Sequence, residues 1–401
     1  MLRSTINLYK NSYGGLSRST WLLSLVMLIN RSGTMVVPFM TIYLTQELRV
    51  GIGKAGFVMS LFGVGAIIGA LIGGKITDRV GFYYVQLFTL LGGGIMFFVL
   101  GQMKSYTAIC IATFFLSMIN EAFRPANAVA IAHYSTDANR VRSYSLNRLA
   151  INLGWAVGSA TGGIIASFNY DLLFLVDGFT NIGAAILLYF ILIPTKKVVA
   201  AVKTSVSVVV KTNSAYKDHN YIFFIIIQVF FAICFFQLFT TLPVFYKTEL
   251  NLSEAFIGIN MAINGILIAL FEMVIVFKLE GRRPATHYMA AGVFLIGMSY
   301  LTLNLPIASA MLLAFCSMLF ITVGEIFAMP FMNAYWIART NAENRGQYAA
   351  LYTVAWSIAQ AIGPFFGSQL AEHFGYYVLW WVIGGICLLL TGAYWLLQRR
   401  S

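Results

Sequence analysis

Twelve apolar, charge-poor runs follow one another along this chain of 401 residues, each long enough to cross a bilayer as a helix. They can be drawn at about 20–45, 55–75, 84–102, 106–132, 143–166 and 172–193, then at about 220–246, 255–278, 287–305, 308–336, 347–370 and 376–397. Inside hydrocarbon a segment must satisfy its own backbone N–H and C=O groups, so runs of this kind fold as helices. Composition agrees, with 59% hydrophobic and 10% charged residues, against about a quarter charged in a soluble domain. The expected fold class is an all-α membrane protein with 12 transmembrane helices.

The chain also repeats itself. Asn139-Arg140 precedes Gly158-Ser-Ala-Thr-Gly162-Gly163, and Asn344-Arg345 precedes Gly363-Pro364-Phe-Phe-Gly367-Ser368, both at one offset because 344 − 139 and 363 − 158 are each 205. Upstream, Glu121-Ala-Phe123-Arg-Pro125 is echoed by Glu325-Ile-Phe327-Ala-Met-Pro330. A period near half the chain means two homologous halves. The expected division is a six-helix bundle over 1–193, a linker over 194–219 that carries five lysines, and a second six-helix bundle over 220–401. Paired halves around a central site near the bilayer midplane are the architecture of alternating access, so transport is the first expectation.

With the N-terminus on the cytoplasmic side, nineteen of the 26 lysines and arginines fall on inner segments, and only Arg49, Lys54, Lys104 and Lys247 on outer ones. This bias predicts both termini in the cytoplasm, as for a bacterial inner-membrane protein. The formal charge of +12 then reflects topology, and no soluble basic domain exists to bind nucleic acid. Cys110, Cys234, Cys316 and Cys387 lie inside predicted spans with no pair close in sequence, and His133, His219, His287 and His373 sit at segment ends or in loops. Neither a disulfide framework, a metal site nor a cofactor is expected. No nucleophile elbow is present, so an intramembrane enzyme is not expected either.

Gly69-Ala-Leu-Ile-Gly-Gly74-Lys75-Ile76 approaches a phosphate-binding loop, but Ile76 replaces the required hydroxyl residue and the segment ends a span rather than a strand. Gly65, Gly69 and Gly73 recur every four residues. That spacing predicts one helix face on which backbones approach closely. At the next connection, Gly74, Asp78, Arg79 and Gly81 match the loop signature Gly-x-Leu-Ala-Asp-Arg-x-Gly-Arg-Lys, with Phe82 and Tyr83 in place of the final basic pair. Here the chain resembles the major facilitator superfamily. Gly154-x3-Gly158-Ser159-x-x-Gly162-Gly163 is similar to the antiporter motif of that family's drug:proton exporters, with Ser159 at the proline position, and the second copy keeps Gly363, Pro364 and Gly367. The resemblance implies a gating role for Asp78 and Arg79, and a monomer as the working unit. The glycines and proline imply hinges and close helix contacts at Gly158, Gly162, Gly363 and Pro364.

Ionisable residues within spans are costly and mark function by default. They are Arg31, Glu121, Arg124, Arg148, Glu272 and Glu325; Asp177 falls near the outer end of the sixth span, where water is expected to reach it. Glu121 and Arg124, three apart, share a helix face on which an ion pair can form. The inner charges of the first half sum to +2 and those of the second to −2, which suits a ligand with both an anionic and a cationic or donor-rich end. Proton coupling needs a carboxyl that can change its charge state, and Glu325 and Glu272 fit best, with Glu121 a third candidate. Substrate contacts are expected from Arg31, Arg124 and Arg148, and from Asn264 and Gln237. Gln228 and Gln237 lie nine residues apart, about 180° around a helix, so at most one should face a cavity. The aromatics Phe235, Phe236, Tyr335, Trp336, Trp155 and Trp356 could add an adaptable surface, although lipid-facing or packing roles are commoner for any one of them. The sequence therefore leads to a proton-coupled transporter in contact with membrane lipid, exporting amphiphilic or drug-like small molecules by antiport. A proton-coupled importer of small zwitterions such as peptides or amino acids is the alternative.

Overall fold

The computed structural model describes residues 15–136, 139–192, 214–306, 309–340 and 344–400, and all regular structure among them is helical. In chain order the α-helices are α1 (Arg18–Ser32), α2 (Val36–Ile42), α3 (Ile52–Val80), α4 (Phe82–Gln102), α5 (Tyr106–Glu121), α6 (Phe123–Tyr134), α7 (Arg140–Phe168) and α8 (Asp171–Ile191). Then come α9 (His219–Phe236), α10 (Thr241–Thr248), α11 (Glu254–Leu279), α12 (Ala285–Thr302), α13 (Ala310–Ala338) and α14 (Arg345–Arg400). Most of the expected lysine-rich linker, 194–213, lies outside the described residues.

Ten segments among the described residues are long and apolar enough to cross a membrane. One of them, Gln347–Arg399, runs 53 residues and contains a joint at Gly375, and α12 is a further 18-residue helix outside the ten. The twelve expected spans fit this arrangement once α12 is added and the two arms of α14 are taken as separate spans. Phe168 at 82% exposure, Phe190 and Leu389 at 77% and Phe277 at 75% would be untenable as a group in water. In a bilayer they face lipid.

Local chemistry sets where helices begin and turn. Serine side chains accept the backbone N–H three residues on at the starts of α1 (Ser17), α5 (Ser105), α11 (Ser253) and α13 (Ser309), satisfying donors that the helix itself leaves open. Gly81 is the single residue between α3 and α4 at φ 92°, and Gly375 joins the two arms of α14 at φ 81°. A side chain is strained in that region, so glycine makes these one-residue joints.

The described residues divide into two compact units, one within Met1–Val36 and Gly65–Ala201, the other within Val37–Val64 and Val202–Ser401. In the first, Leu23, Val26, Phe82, Phe123 and Leu188 of α1, α4, α6 and α8 are almost fully buried against one another. The glycine face expected on α3 is realised there. A Cβ on Gly65, Gly69 or Gly73 would run into backbone atoms of Phe114, Met118 or Ala122 around α5. In the second unit α12 packs on α13 and α14, and α9 packs along α14. There Cys234 and Cys387, distant in sequence, lie within interaction range of each other without a disulfide, a proximity that sequence spacing did not indicate.

Two expected spans are broken. The run drawn at 20–45 stops at Ser32, restarts at Val36 and ends in a π-turn over Tyr43–Glu47. The run drawn at 220–246 stops at Phe236, tightens through Gln237–Phe239 and restarts at Thr241, with Thr240 at φ −124°, ψ −74°. Each restarted helix has proline as its third residue, Pro38 and Pro243, and 243 − 38 is again 205. Proline fits the first turn of a helix, where its missing N–H costs nothing.

Asp218, just outside the span of α9, caps that helix by accepting the Tyr221 N–H at 3.0 Å, and also takes the Tyr348 hydroxyl at 3.0 Å and the Arg339 guanidinium at 3.1 Å. Burial alone would raise its proton affinity. The Tyr221 N–H, the Tyr348 hydroxyl and the Arg339 charge outweigh burial and hold its carboxyl below the ordinary value. A carboxyl held low when folded stabilises above its unfolded value of about 3.9, and that stability disappears as pH falls through the lower folded value. Asp218→Asn is therefore expected to cost about 1 kcal/mol at neutral pH, with the difference from wild type closing below about pH 4. Thermal unfolding in detergent across pH 3–7 checks this, and an equal deficit at every pH would refute it.

Candidate functional site

Within the first unit the structure brings three of the sequence-selected residues together. Glu121, 7% exposed, ends α5, and its Oε2 takes Nη2 of Arg124 at 2.8 Å. Arg124 opens the first turn of α6 with its side chain 64% exposed, so the acid is buried while the base reaches outward. Arg31 lies in the last turn of α1 within electrostatic reach of both. Its Nε is buried and has no hydrogen-bond partner among the described residues. A buried donor left open costs about 1–3 kcal/mol unless water or a ligand fills it. Arg148 is exposed on α7, next to a buried chain in which Gln86 donates to Asn127 and Asn127 to Asn147, both at 3.2 Å.

The glycines of α7 position Arg31. A Cβ on Gly154 would lie 2.6 Å from Arg31 Cβ, and one on Gly158 would lie 2.9 Å from the Ser32 carbonyl oxygen, so α7 presses on the last turn of α1 through backbone. Gly162 is buried one turn further on. The repeat places Gly363 at the same kind of crossing, where an added Cβ would lie 3.3 Å from the Ile233 carbonyl oxygen of α9. There Gln237 donates to the carbonyls of Ile233 and Gly363, each at 2.9 Å, and accepts the Thr241 hydroxyl at 2.8 Å. Every polar atom of Gln237 is thus engaged across the break between α9 and α10. Gln228 is buried as well, with neither amide atom hydrogen-bonded among the described residues.

In the second unit Glu325 of α13, 7% exposed, accepts the Asn264 amide of α11 at 2.9 Å. The same amide donates to Thr322 at 3.0 Å, and Thr322 donates to the Met318 carbonyl at 2.7 Å. Glu272 is on α11 eight residues after Asn264, half-buried between the exposed side chains of Phe271 and Met273. An aromatic wall runs through α9, α13 and α14, with Trp356 within 6.5 Å of the ring centres of Phe235, Phe236 and Tyr352, and Trp336 6.1 Å from Tyr352. Of the gating candidates, Asp78 and Arg79 are exposed at the end of α3, and Pro364 lies inside α14.

Sequence reasoning missed the partner of Asp177. Expected to be wetted, it is fully buried, and its two oxygens accept the N–H groups of Met35 at 3.0 Å and Val36 at 2.8 Å where α2 begins. Asn30 donates to Asn181 at 2.9 Å, and Asn181 donates to the Asp177 carbonyl at 2.8 Å, tying both sides of the break to α8. The only local signal was an acid in an apolar span.

Carboxylates buried inside apolar spans, together with duplicated glycine crossings, are features of a multi-pass transporter. The sequence model of the Major Facilitator Superfamily matches residues 20–361 and 323–401, and the chain belongs to that family. It is 25% identical over 367 residues to the uncharacterized MFS-type transporter YttB of Bacillus subtilis (strain 168), covering 89% of each chain. It is also 22% identical over 392 residues to a Na(+), Li(+), K(+)/H(+) antiporter of Planococcus maritimus, covering 90% of this chain and 91% of that one. Its fold matches the crystal structure of a POT family transporter in complex with 5-aminolevulinic acid, with TM-score 0.79 at 15% identity over 94% of this chain and 96% of that one.

Proposed function

We propose that the protein is a proton-coupled antiporter that exports amphiphilic small molecules across the bacterial inner membrane, with both termini cytoplasmic. The observation that carries this reading is the buried trio of Glu325, Asn264 and Thr322. Asparagine can offer either its amide N–H or its carbonyl oxygen, so Asn264 can satisfy Glu325 both as a carboxylate and as a protonated acid. A group stabilised in both protonation states can load and release a proton without leaving a buried polar atom open. The relation to an antiporter of Planococcus maritimus supports the exchange of protons against a second solute. Glu272 and Glu121 are secondary proton sites in this reading, and Arg148 contributes to substrate attraction. Arg31, whose Nε is open among the described residues, and Arg124 bind an acceptor group on the substrate. Gln237 contributes only when its bond to Gly363 opens. In proteoliposomes, a pH gradient should drive accumulation of an amphiphilic substrate against its own gradient. Coupled uptake of a dipeptide or amino acid instead would establish the zwitterion importer, which the opposite charges of the two halves also accommodate.

Residues 1–193 and 220–401 are the moving bundles of this cycle, joined by 194–219, with Asp78 and Arg79 acting at the cytoplasmic gate. The opposite gate is read from α3 and α14. A Cβ on Gly56 would run into the Ser368 side chain and lie 2.7 Å from the Pro364 carbonyl oxygen, and one on Gly63 would run into the Gln360 carbonyl. Pro364 lacks the N–H that would otherwise bond Gln360, so that carbonyl is available to the glycine face. Gly56→Leu should hold α3 and α14 apart here and reduce transport at least about tenfold, an effect equivalent to ~1.4 kcal/mol. Full activity of that variant, measured in proteoliposomes, would show that closure does not use this contact.

A further inference from the structure

Three helix ends meet around a cavity of about 480 Å³ in the second unit. Its lining comes from Phe245 and Glu249 at the end of α10, from Asn304 and its neighbours after α12, and from Gly375, Tyr376 and Tyr377 at the joint of α14. The volume falls within the ~300–1,000 Å³ range of small-molecule sites. Phe245, Tyr376 and Tyr377 make the aromatic part of its wall. Phe245 lies 5.4 Å from Tyr376 and 5.3 Å edge-on to Trp380, and Tyr376 stacks on Trp380 at 6.1 Å. Trp380 stacks in turn on Tyr300 at 5.6 Å, so the cage rests on a buried support.

The electrostatics favour a cation. Glu249 is exposed at the rim, within electrostatic reach of Tyr376, and forms no ion pair among the described residues. The nearest base in sequence, Lys247, is held by Glu254 at 2.7 Å. The C-terminal ends of α10 and α12 both border the cavity, and helix C-termini carry partial negative charge. Aromatic faces attract cations through their quadrupoles, most strongly when the cation is poorly hydrated.

We propose that this cavity binds an organic monocation of the alkylammonium class, its charge set between Glu249 and the Phe245 and Tyr376 rings. The site is separate from the Glu325 trio, and its occupancy is a binding event that does not depend on proton coupling. Titration calorimetry of the purified full chain with tetrapropylammonium tests it. Saturable binding is expected, weakened at least about tenfold by Glu249→Gln and by Tyr376→Leu, each loss equivalent to ~1.4 kcal/mol. Glu249→Asp, which keeps the charge, should stay within about threefold of wild type. Tyr377→Leu, at an exposed position, gives a second aromatic probe should Tyr376→Leu unfold. The absence of binding in the folded wild-type protein, or unchanged affinity in Glu249→Gln, would overturn the proposal.

Discussion

Proton-driven transport by the Glu325→Gln protein is expected to fall to background while folding and membrane insertion are retained. Glutamine has nearly the same shape as a protonated glutamate and can still meet the Asn264 amide with its carbonyl oxygen, so the α11–α13 contact survives. What it loses is the choice of charge. A proton can bias a conformational equilibrium only through a group whose proton affinity differs between states, and glutamine has none. Substrate counterflow, which needs no proton gradient, should therefore persist in the variant. A Glu325→Gln transporter with wild-type pH dependence would sink the assignment. Asn264→Leu is expected to give an intermediate defect by removing the donor that Glu325 and Thr322 share.

The second large effect is structural. Asp177→Ala removes the acceptor for two backbone N–H groups in a place that water does not reach, and each orphaned donor costs about 1–3 kcal/mol. A total of ~2–6 kcal/mol is expected, seen as an earlier loss of the monodisperse peak when detergent-solubilised protein is heated. Asp177→Asn should be milder, since an amide oxygen can still accept one of the two N–H groups. Because α1 and α2 meet at this point, Asp177→Ala should also lower substrate affinity through Arg31 in the last turn of α1. Unchanged thermal stability in the alanine variant would show that the capping bonds contribute nothing.

Features that depend on neighbours in sequence were legible, and those that depend on distant partners were not. Gly65, Gly69 and Gly73 announce a backbone contact because lipid leaves few other uses for a four-residue glycine period. The Glu121–Arg124 pair is three residues apart and could be drawn on a helical wheel. Asn264 and Glu325 were each singled out as unusual in an apolar span, yet 61 residues separate them and no local pattern joins them. The helix breaks are an intermediate case. Pro38 and Pro243 sit one repeat offset apart in plain view, but proline inside an apolar run reads as a tolerated kink unless the capping group is known. That group, Asp177, lies more than 140 residues downstream of the break.

The two breaks are copies of one event fastened by different chemistry. In the first half a carboxylate closes the gap between α1 and α2, and in the second an amide, Gln237, closes the gap between α9 and α10. A carboxylate that takes up a proton gives up an acceptor, whereas an amide offers the same groups at every physiological pH. The duplicated chain thus has one joint that acid can loosen and one that acid cannot touch.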